Sequence, residues 1–491
     1  MNALPPLSTA EDITARTVAD FTAHTPGSKA YAETSRLVLA DKTPLAMPFS
    51  PALKEAFYPI VSDRSSGARL WDIDGNAYVD ILMGLGCNIL GHNPDPIRAA
   101  LEDRMVRGVQ IGPQSEIAGE TAALFAKLTG HDRVTFSNTG TEAVMTAIRI
   151  ARAATGRRKI AIFTNAYHGH ADQTLFKAKR LEYIRRGALQ RAHSGPLKAL
   201  KPLLERLMIT RAVPSFAGVA ARLGADVMVL EYNNPRALDI LRRQGHKLAA
   251  VLVEPVQSRT PQVQPRAFLH GLRAVTQKTG TALIFDEMIS GFRVAQGGAQ
   301  EFFDVRADLA TYGKIAGGGL PLSLIAGDAR FMDHIDGGAW QFGDASRPQV
   351  PTTFFAGTHC RHPLSLTAAL AMARELDARG PALQTQLNAQ TTQLVRATNT
   401  ALATAGVPIQ FTSFGSFFAI DGSQSRLSPD AGTLLSLVAL TRGLHMRPGD
   451  RGGFLSTAHG PDDHEFIQTT LVDAAVHLEE AGCITRAGGH P

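Results

Sequence analysis

Six short apolar runs, at 133–137, 159–163, 226–230, 249–253, 281–285 and 309–311, alternate with stretches of helical period such as 140–154 and 266–279. This alternation constrains the fold more than anything else in the chain. Val251-Leu-Val and Leu283-Ile-Phe leave a strand no polar side, so both of its faces must be buried. A mostly parallel sheet covered by helices does that. Before the alternation begins near Pro94, residues 9–40 read as helical. Arg69-Leu-Trp-Asp-Ile-Asp-Gly-Asn-Ala-Tyr-Val-Asp reads as a β-hairpin turning at Asp74-Gly-Asn. After about 365 the chain turns helix-rich, with short strands at 416–420 and 453–456. The expected organisation is α/β, with an N-terminal segment over 1–93, a large domain over 94–360 and a C-terminal domain over 361–491. The two terminal segments share a smaller α+β domain.

At 491 residues the chain exceeds one ordinary core, and 44% hydrophobic with 19% charged residues is the balance of a soluble globular protein. No apolar run reaches the roughly 20 residues of a membrane span. The first residues carry no basic region followed by an apolar stretch, so a cytoplasmic location is expected. Cys87, Cys360 and Cys483 are too far apart for a CxxC metal site and argue against a disulfide framework. Charge is uneven. Between Leu175 and Val213 stand ten Lys or Arg against two Glu, so this basic insert carries +8 and the rest of the chain −2, against a net +6. Nucleic acid, an acidic protein or a phosphate-bearing substrate would suit it, and so would plain solvation of a helical insertion. No helix-turn-helix or zinc-finger spacing supports nucleic acid.

The chemistry concentrates where strands end. Phe285-Asp-Glu-Met closes one apolar run, and Lys314 follows in Thr311-Tyr-Gly-Lys-Ile-Ala-Gly-Gly-Gly-Leu-Pro. A lysine beside a Gly-rich turn, following a buried aspartate, is the arrangement that a pyridoxal phosphate (PLP) enzyme needs. The amine bonds the cofactor aldehyde and later moves protons on the substrate carbon, while Asp286 keeps the pyridine nitrogen protonated. Thr139, Gly140 and Thr141 open a helix after a strand, which suits a phosphate but also describes a simple N-cap. Tyr167-His-Gly-His places an aromatic that can stack on a ring, with Gly169 leaving room. His168 and His170 read as packing or loop residues rather than metal ligands, since no third ligand has the right spacing. Met288 is expected against the ring face opposite Tyr167. Glu254, Gln257 and Arg259 offer polar groups at the same sheet edge.

Thr139-Gly-Thr-Glu-Ala, Tyr167-His-Gly-His, Glu254-Pro-Val, Phe285-Asp-Glu-Met-Ile-Ser-Gly-Phe-Arg and Gly313-Lys-Ile-Ala-Gly-Gly-Gly-Leu-Pro resemble class III PLP aminotransferases, most of all the glutamate-1-semialdehyde aminomutase type, over about residues 30–480. The resemblance implies PLP fold-type I and a homodimer with shared active sites. It implies phosphate contacts from Thr139, Gly140 and Thr141, stacking by Tyr167, and the Asp286 and Lys314 roles above. Thr358 would reach the phosphate from the neighbouring subunit.

Val38-Leu-Ala-Asp-Lys, Gly112-Pro-Gln-Ser-Glu, Glu254-Pro-Val-Gln-Ser-Arg, Thr352-Thr-Phe-Phe-Ala-Gly-Thr and Phe454-Leu-Ser-Thr-Ala-His look further like aminotransferase domains of hybrid polyketide/nonribosomal peptide synthetases. Those domains aminate a β-keto acyl thioester on a carrier protein. Where the aminomutases carry an asparagine and a glutamate, this chain has Arg259 and Arg451. The expectation is an aminotransferase taking an amino group from an amino acid to a keto acceptor, with an acidic acyl carrier protein steered by the insert. An aminomutase and an aminotransferase of free aldehydes or keto acids are the alternatives.

Overall fold

The computed structural model describes residues 10–43, 47, 49–179, 212–425, 427–428, 430–447, 449, 451–480 and 482–484. Two compact units emerge: Met1–Ala99 with Thr260–Gln262 and Pro381–Pro491, and Ala100–Arg259 with Val263–Gly380. The helix Pro363–Arg379 thus belongs to the second unit, whereas the sequence division at 360/361 puts it in the C-terminal domain.

The second unit is built on seven strands in the spatial order Arg133–Ser137, Ser323–Gly327, Leu309–Tyr312, Ala282–Asp286, Leu248–Val253, Lys159–Phe163 and Val227–Leu230. All run the same way except Ser323–Gly327, which is antiparallel to both neighbours. The mostly parallel sheet is the expected one. The reversed strand is not, because five uniformly buried residues after a Gly-rich turn carry no periodicity to mark them. Leu248–Val253 is buried at every position. The helix Gly140–Thr155 turns Ala143, Val144, Ala147, Ile148, Ile150 and Ala151 inward, within one core with Ile160, Leu252, Ile284, Leu309 and Ile325. Each buried Ile or Leu contributes about 1.5–3 kcal/mol. Phe285 pairs with Val253 and Asp286 with Thr311, so Glu254, Asp286 and Thr311 stand at one level of the sheet.

The first unit joins the two ends of the chain. Ser62–Ser66, Arg69–Asp72 and Ala77–Asp80 form a sheet completed by Leu444–His445, and Phe411–Phe414, Phe417–Ile420 and Gly452–Phe454 form another. Five helices of ten or more residues accompany them among the described residues: Ala10–His24, Pro26–Ser35, Ala382–Thr404, Ala431–Thr441 and Pro461–Glu480. The hairpin turns where expected, since Asp72 Oδ1 accepts from the N–H groups of Asp74 (3.0 Å) and Asn76 (2.9 Å) while Gly75 takes a φ of +85°. The N-terminal helix is two helices rather than one. Pro26 lacks an N–H and pushes Thr25 out of helical geometry (φ −129°, ψ 51°), then starts the second helix.

Residues 180–211 of the basic insert lie outside the described residues. Its roots, Phe176–Ala178 and Ala212–Pro214, pair as an antiparallel ribbon. Among the described residues no helix is long and apolar enough to cross a membrane.

Candidate active site

Asp286 ends its strand 4% exposed. Its Oδ2 lies 2.7 Å from His168 Nδ1, and its Oδ1 accepts from the Met288 N–H at 3.3 Å and the Thr311 hydroxyl at 3.4 Å. An ionised carboxylate only accepts, so Nδ1 is the donating nitrogen of His168. The sequence reading of His168 as a packing or loop residue is therefore corrected: it orients the aspartate. Nothing in the local pattern signals this, because the loop after Lys159–Phe163 meets Asp286 only across an intervening strand. His168 Nε2 is buried with no hydrogen-bond partner among the described residues.

Glu254 stands one strand over, level with Asp286, and its Oε2 accepts from the Tyr167 N–H at 2.8 Å. Burial pushes its carboxyl up to about 7. The Asp286 charge adds to the rise, while His168 and the N–H groups of Tyr167 and Ser258 oppose it. Since this value lies above the ordinary 4.5, the contribution to stability is complete below pH 4.5 and is lost as pH rises through 7. The loss amounts to about 3 kcal/mol. Glu254→Gln should therefore flatten the decline of stability between pH 5 and pH 8, read from denaturant midpoints. Equal declines in both proteins would contradict it. Gln257, 2% exposed, donates its side-chain amide to the Thr164 carbonyl at 2.8 Å. It anchors this loop from inside, and the Tyr232 hydroxyl anchors it again at the Pro255 carbonyl (2.8 Å). Glu287, which the sequence reading passed over, is also buried and pushed up to about 7 by burial. It accepts from the Ser290 hydroxyl and the N–H groups of Ala299 and Gln300, both at 2.9 Å, fixing the turn behind Asp286.

The helix Gly140–Thr155 begins at the same edge. Thr139 caps it, its hydroxyl oxygen accepting from the Glu142 N–H at 3.2 Å. The cap leaves the hydroxyl proton free to donate, and the first-turn N–H groups have no partner inside the helix. Thr141 Oγ1 accepts from the His170 N–H at 3.2 Å, which packs the Tyr167–His170 loop onto the helix start. Gly169 makes that approach possible, because a Cβ there would stand 2.9 Å from Thr141 Cα and its φ is +77°. Gly169→Ala should cost about 1–3 kcal/mol in unfolding experiments. A loss below a few tenths would mean the loop does not need this approach. Tyr167 itself is 56% exposed.

Lys314 is half-buried, has a φ of +48°, and opens the single turn Lys314–Gly317, with Gly318 and Gly319 at +58° and +91°. A lysine held in the left-handed region costs about 1–3 kcal/mol, and such strain gathers at functional sites. Met288 ties the pieces together. Its Sδ lies where a Cβ on Gly140 or Gly313 would come within 2.8 or 2.6 Å, so its thioether fills the space beside both glycines.

Contacts thus join Thr139, Gly140, Thr141, Tyr167, Glu254, Asp286 and Met288 to the segment carrying Lys314. Arg259 is exposed beyond the anchored loop. Thr358 is exposed on a loop that Arg149 holds through the Phe354 carbonyl at 2.8 Å. Arg451 belongs to the first unit, where it is exposed and its carbonyl accepts from the Ile420 N–H at 2.7 Å.

Residues 51–447 match the aminotransferase class-III family model. A glutamate-1-semialdehyde 2,1-aminomutase of Desulfosudis oleivorans is 35% identical over 421 residues, 83% of this chain and 88% of that protein. The one of Desulfitobacterium hafniense is 34% identical over 437 residues, 86% and 92% of the two chains. An omega-transaminase from Sphaerobacter thermophilus superposes with a TM-score of 0.76 at 29% identity, covering 94% of this chain and 99% of that one. A transaminase solved with PLP bound gives a TM-score of 0.76 at 26% identity, covering 93% and 99%. A fold-type I sheet whose ligand edge carries Asp286 and Lys314, matched by the family model over most of its length, places this chain in the class-III aminotransferase family.

Proposed function

We propose that the protein is a PLP-dependent aminotransferase that carries an amino group from an amino acid donor to a β-keto acyl thioester on an acidic carrier protein, in natural-product biosynthesis. The observation that carries the finer reading is the basic insert. The entire positive excess of the chain sits between Leu175 and Val213. The insert's roots are the antiparallel ribbon of Phe176–Ala178 and Ala212–Pro214, which starts nine residues after Tyr167 in the sequence. Acidic carriers are steered by such a field.

Several features support a fit to PLP. Asp286 is a buried carboxylate whose orientation His168 fixes. The Thr139–Thr141 turn presents hydroxyls and first-turn N–H groups to a phosphate. Gly140 and Gly313 make room for the Met288 thioether between them, and the orphan His168 Nε2 leaves a buried donor or acceptor unspent. When bound, PLP supplies an electron-withdrawing ring that acidifies the carbon bearing the amino group. Asp286 would hold the proton on the ring nitrogen. Thr139, Gly140 and Thr141 would hold the phosphate, and Tyr167 and Met288 would pack against the ring. Lys314 would be the residue that holds the cofactor covalently, and its Nζ would be the base that moves the proton at the donor and acceptor carbons. In a homodimer, Thr358 would reach the phosphate from a second copy. Its exposure, and that of Phe354 at 77%, support this reading.

A second reading, a 2,1-aminomutase that retains its amine, is favoured by the curated relatives named above. Arg259 and Arg451, standing where the resemblance puts asparagine and glutamate, weigh against it. The two are separated by incubating the protein with a donor and a carrier-bound β-keto acyl thioester, then weighing the intact carrier. The amine mass shift is expected. Combined charge reversal at Arg185, Arg186 and Arg191 should slow it about tenfold or more at low salt and spare a small free thioester. Unchanged turnover of the carrier substrate would remove the carrier from the account.

A further inference from the structure

We infer that Arg259 is the receptor for the carboxylate of the amino acid substrate, held at the rim of the site by a loop anchored from within. This rests on the aminotransferase reading and names the substrate group that the site recognises.

The loop leaves the strand Leu248–Val253 at the carboxyl edge of the sheet, where open α/β sheets take their ligands. Three hydrogen bonds fix its path: Tyr167 N–H to Glu254, Tyr232 hydroxyl to the Pro255 carbonyl, and Gln257 amide to the Thr164 carbonyl, each 2.8 Å. Gln257 points inward at 2% exposure. Two residues later Arg259 is exposed and makes no hydrogen bond or ion pair with any described residue. Several other arginines of the unit are tied down, among them Arg133 to Asp333 and Asp336, Arg158 to Asp226, Arg273 to Asp308 and Arg306 to Asp328. A rigid backbone that delivers an uncommitted guanidinium is an anion receptor in waiting, because little ordering is left to oppose binding.

The charge around it selects the same ligand. The edge already holds the carboxyl groups of Asp286 and Glu254, both buried. A substrate carboxylate entering there needs a cation to offset them, and a guanidinium meets a carboxylate in a bidentate pair. A carboxylate-free amine needs no such partner. Arg259 therefore acts on selection among donors, and it takes no proton from the substrate.

Two measurements test this. The first compares donor half-reactions of wild type and Arg259→Gln with L-phenylalanine and with 2-phenylethylamine. Loss of one charged hydrogen-bonded pair is worth about 10–100-fold in kcat/KM. That loss is expected for the amino acid, in KM more than in kcat, with the amine changed less than twofold and with Arg259→Lys restoring part of it. An equal loss for both donors, or none for L-phenylalanine, overturns the inference. The second measures calorimetric binding of 3-phenylpropionate, which has a carboxylate and no amine, to both proteins. About tenfold weaker binding by Arg259→Gln is expected, and equal binding overturns the inference. If wild type releases no keto acid from any donor while 3-phenylpropionate still depends on Arg259, the aminotransferase reading fails and the carboxylate receptor stands.

Discussion

Lys314→Ala is expected to lower turnover by about 10⁴-fold or more while leaving the protein folded. The size follows from losing both roles proposed for it at once: the covalent hold on the cofactor and the base that moves the substrate proton, the latter alone worth about 10²–10⁴-fold. The fold should survive because Lys314 is half-buried at the start of a one-turn helix, and no core cluster counts it as a member. Borohydride reduction followed by peptide mass analysis should find the cofactor on the 314 peptide of wild type and nowhere in the variant. Added methylamine should recover part of the rate by replacing the missing base. Normal activity in Lys314→Ala would refute the assignment of the site.

Asp286→Asn should keep the cofactor and lose about 10²–10³-fold in kcat, the range for removing one preorganised electrostatic partner. Asparagine can still accept from His168, whose Nδ1 lies 2.7 Å from Oδ2 in the native site, so the loop should stay in place. What disappears is the negative charge proposed to hold the ring proton. The same charge adds to the upward push on Glu254, so Glu254 should ionise at a lower pH in the variant. A wild-type rate from Asp286→Asn would mean that the ring nitrogen has another partner.

The parallel sheet was legible because fully buried strands such as 249–253 write themselves as unbroken apolar runs. The site edge was legible because each of those runs stops at a polar residue, and register then sets Glu254 beside Asp286. His168 was not legible. Its role comes from a loop crossing a strand between it and Asp286, a distance that no local spacing records. Glu287 was hidden in another way. Its partners are the backbone N–H groups of Ala299 and Gln300, and backbone donors leave no trace in a sequence. The break at Thr25 was readable from Pro26 and was overrun by the helical pattern on either side. The hydrogen bond from the Gln257 amide to the Thr164 carbonyl was not legible either, since a backbone acceptor leaves no mark in a sequence.

The most direct test of the central claim is the visible spectrum of the PLP-loaded protein with L-glutamate, and separately L-glutamine, in the absence of any acceptor. The account predicts loss of the visible cofactor band with at least one amino acid donor, and release of the matching keto acid in equal amount. A band that persists with every donor, with no keto acid formed, would contradict it and return the protein to the aminomutase reading.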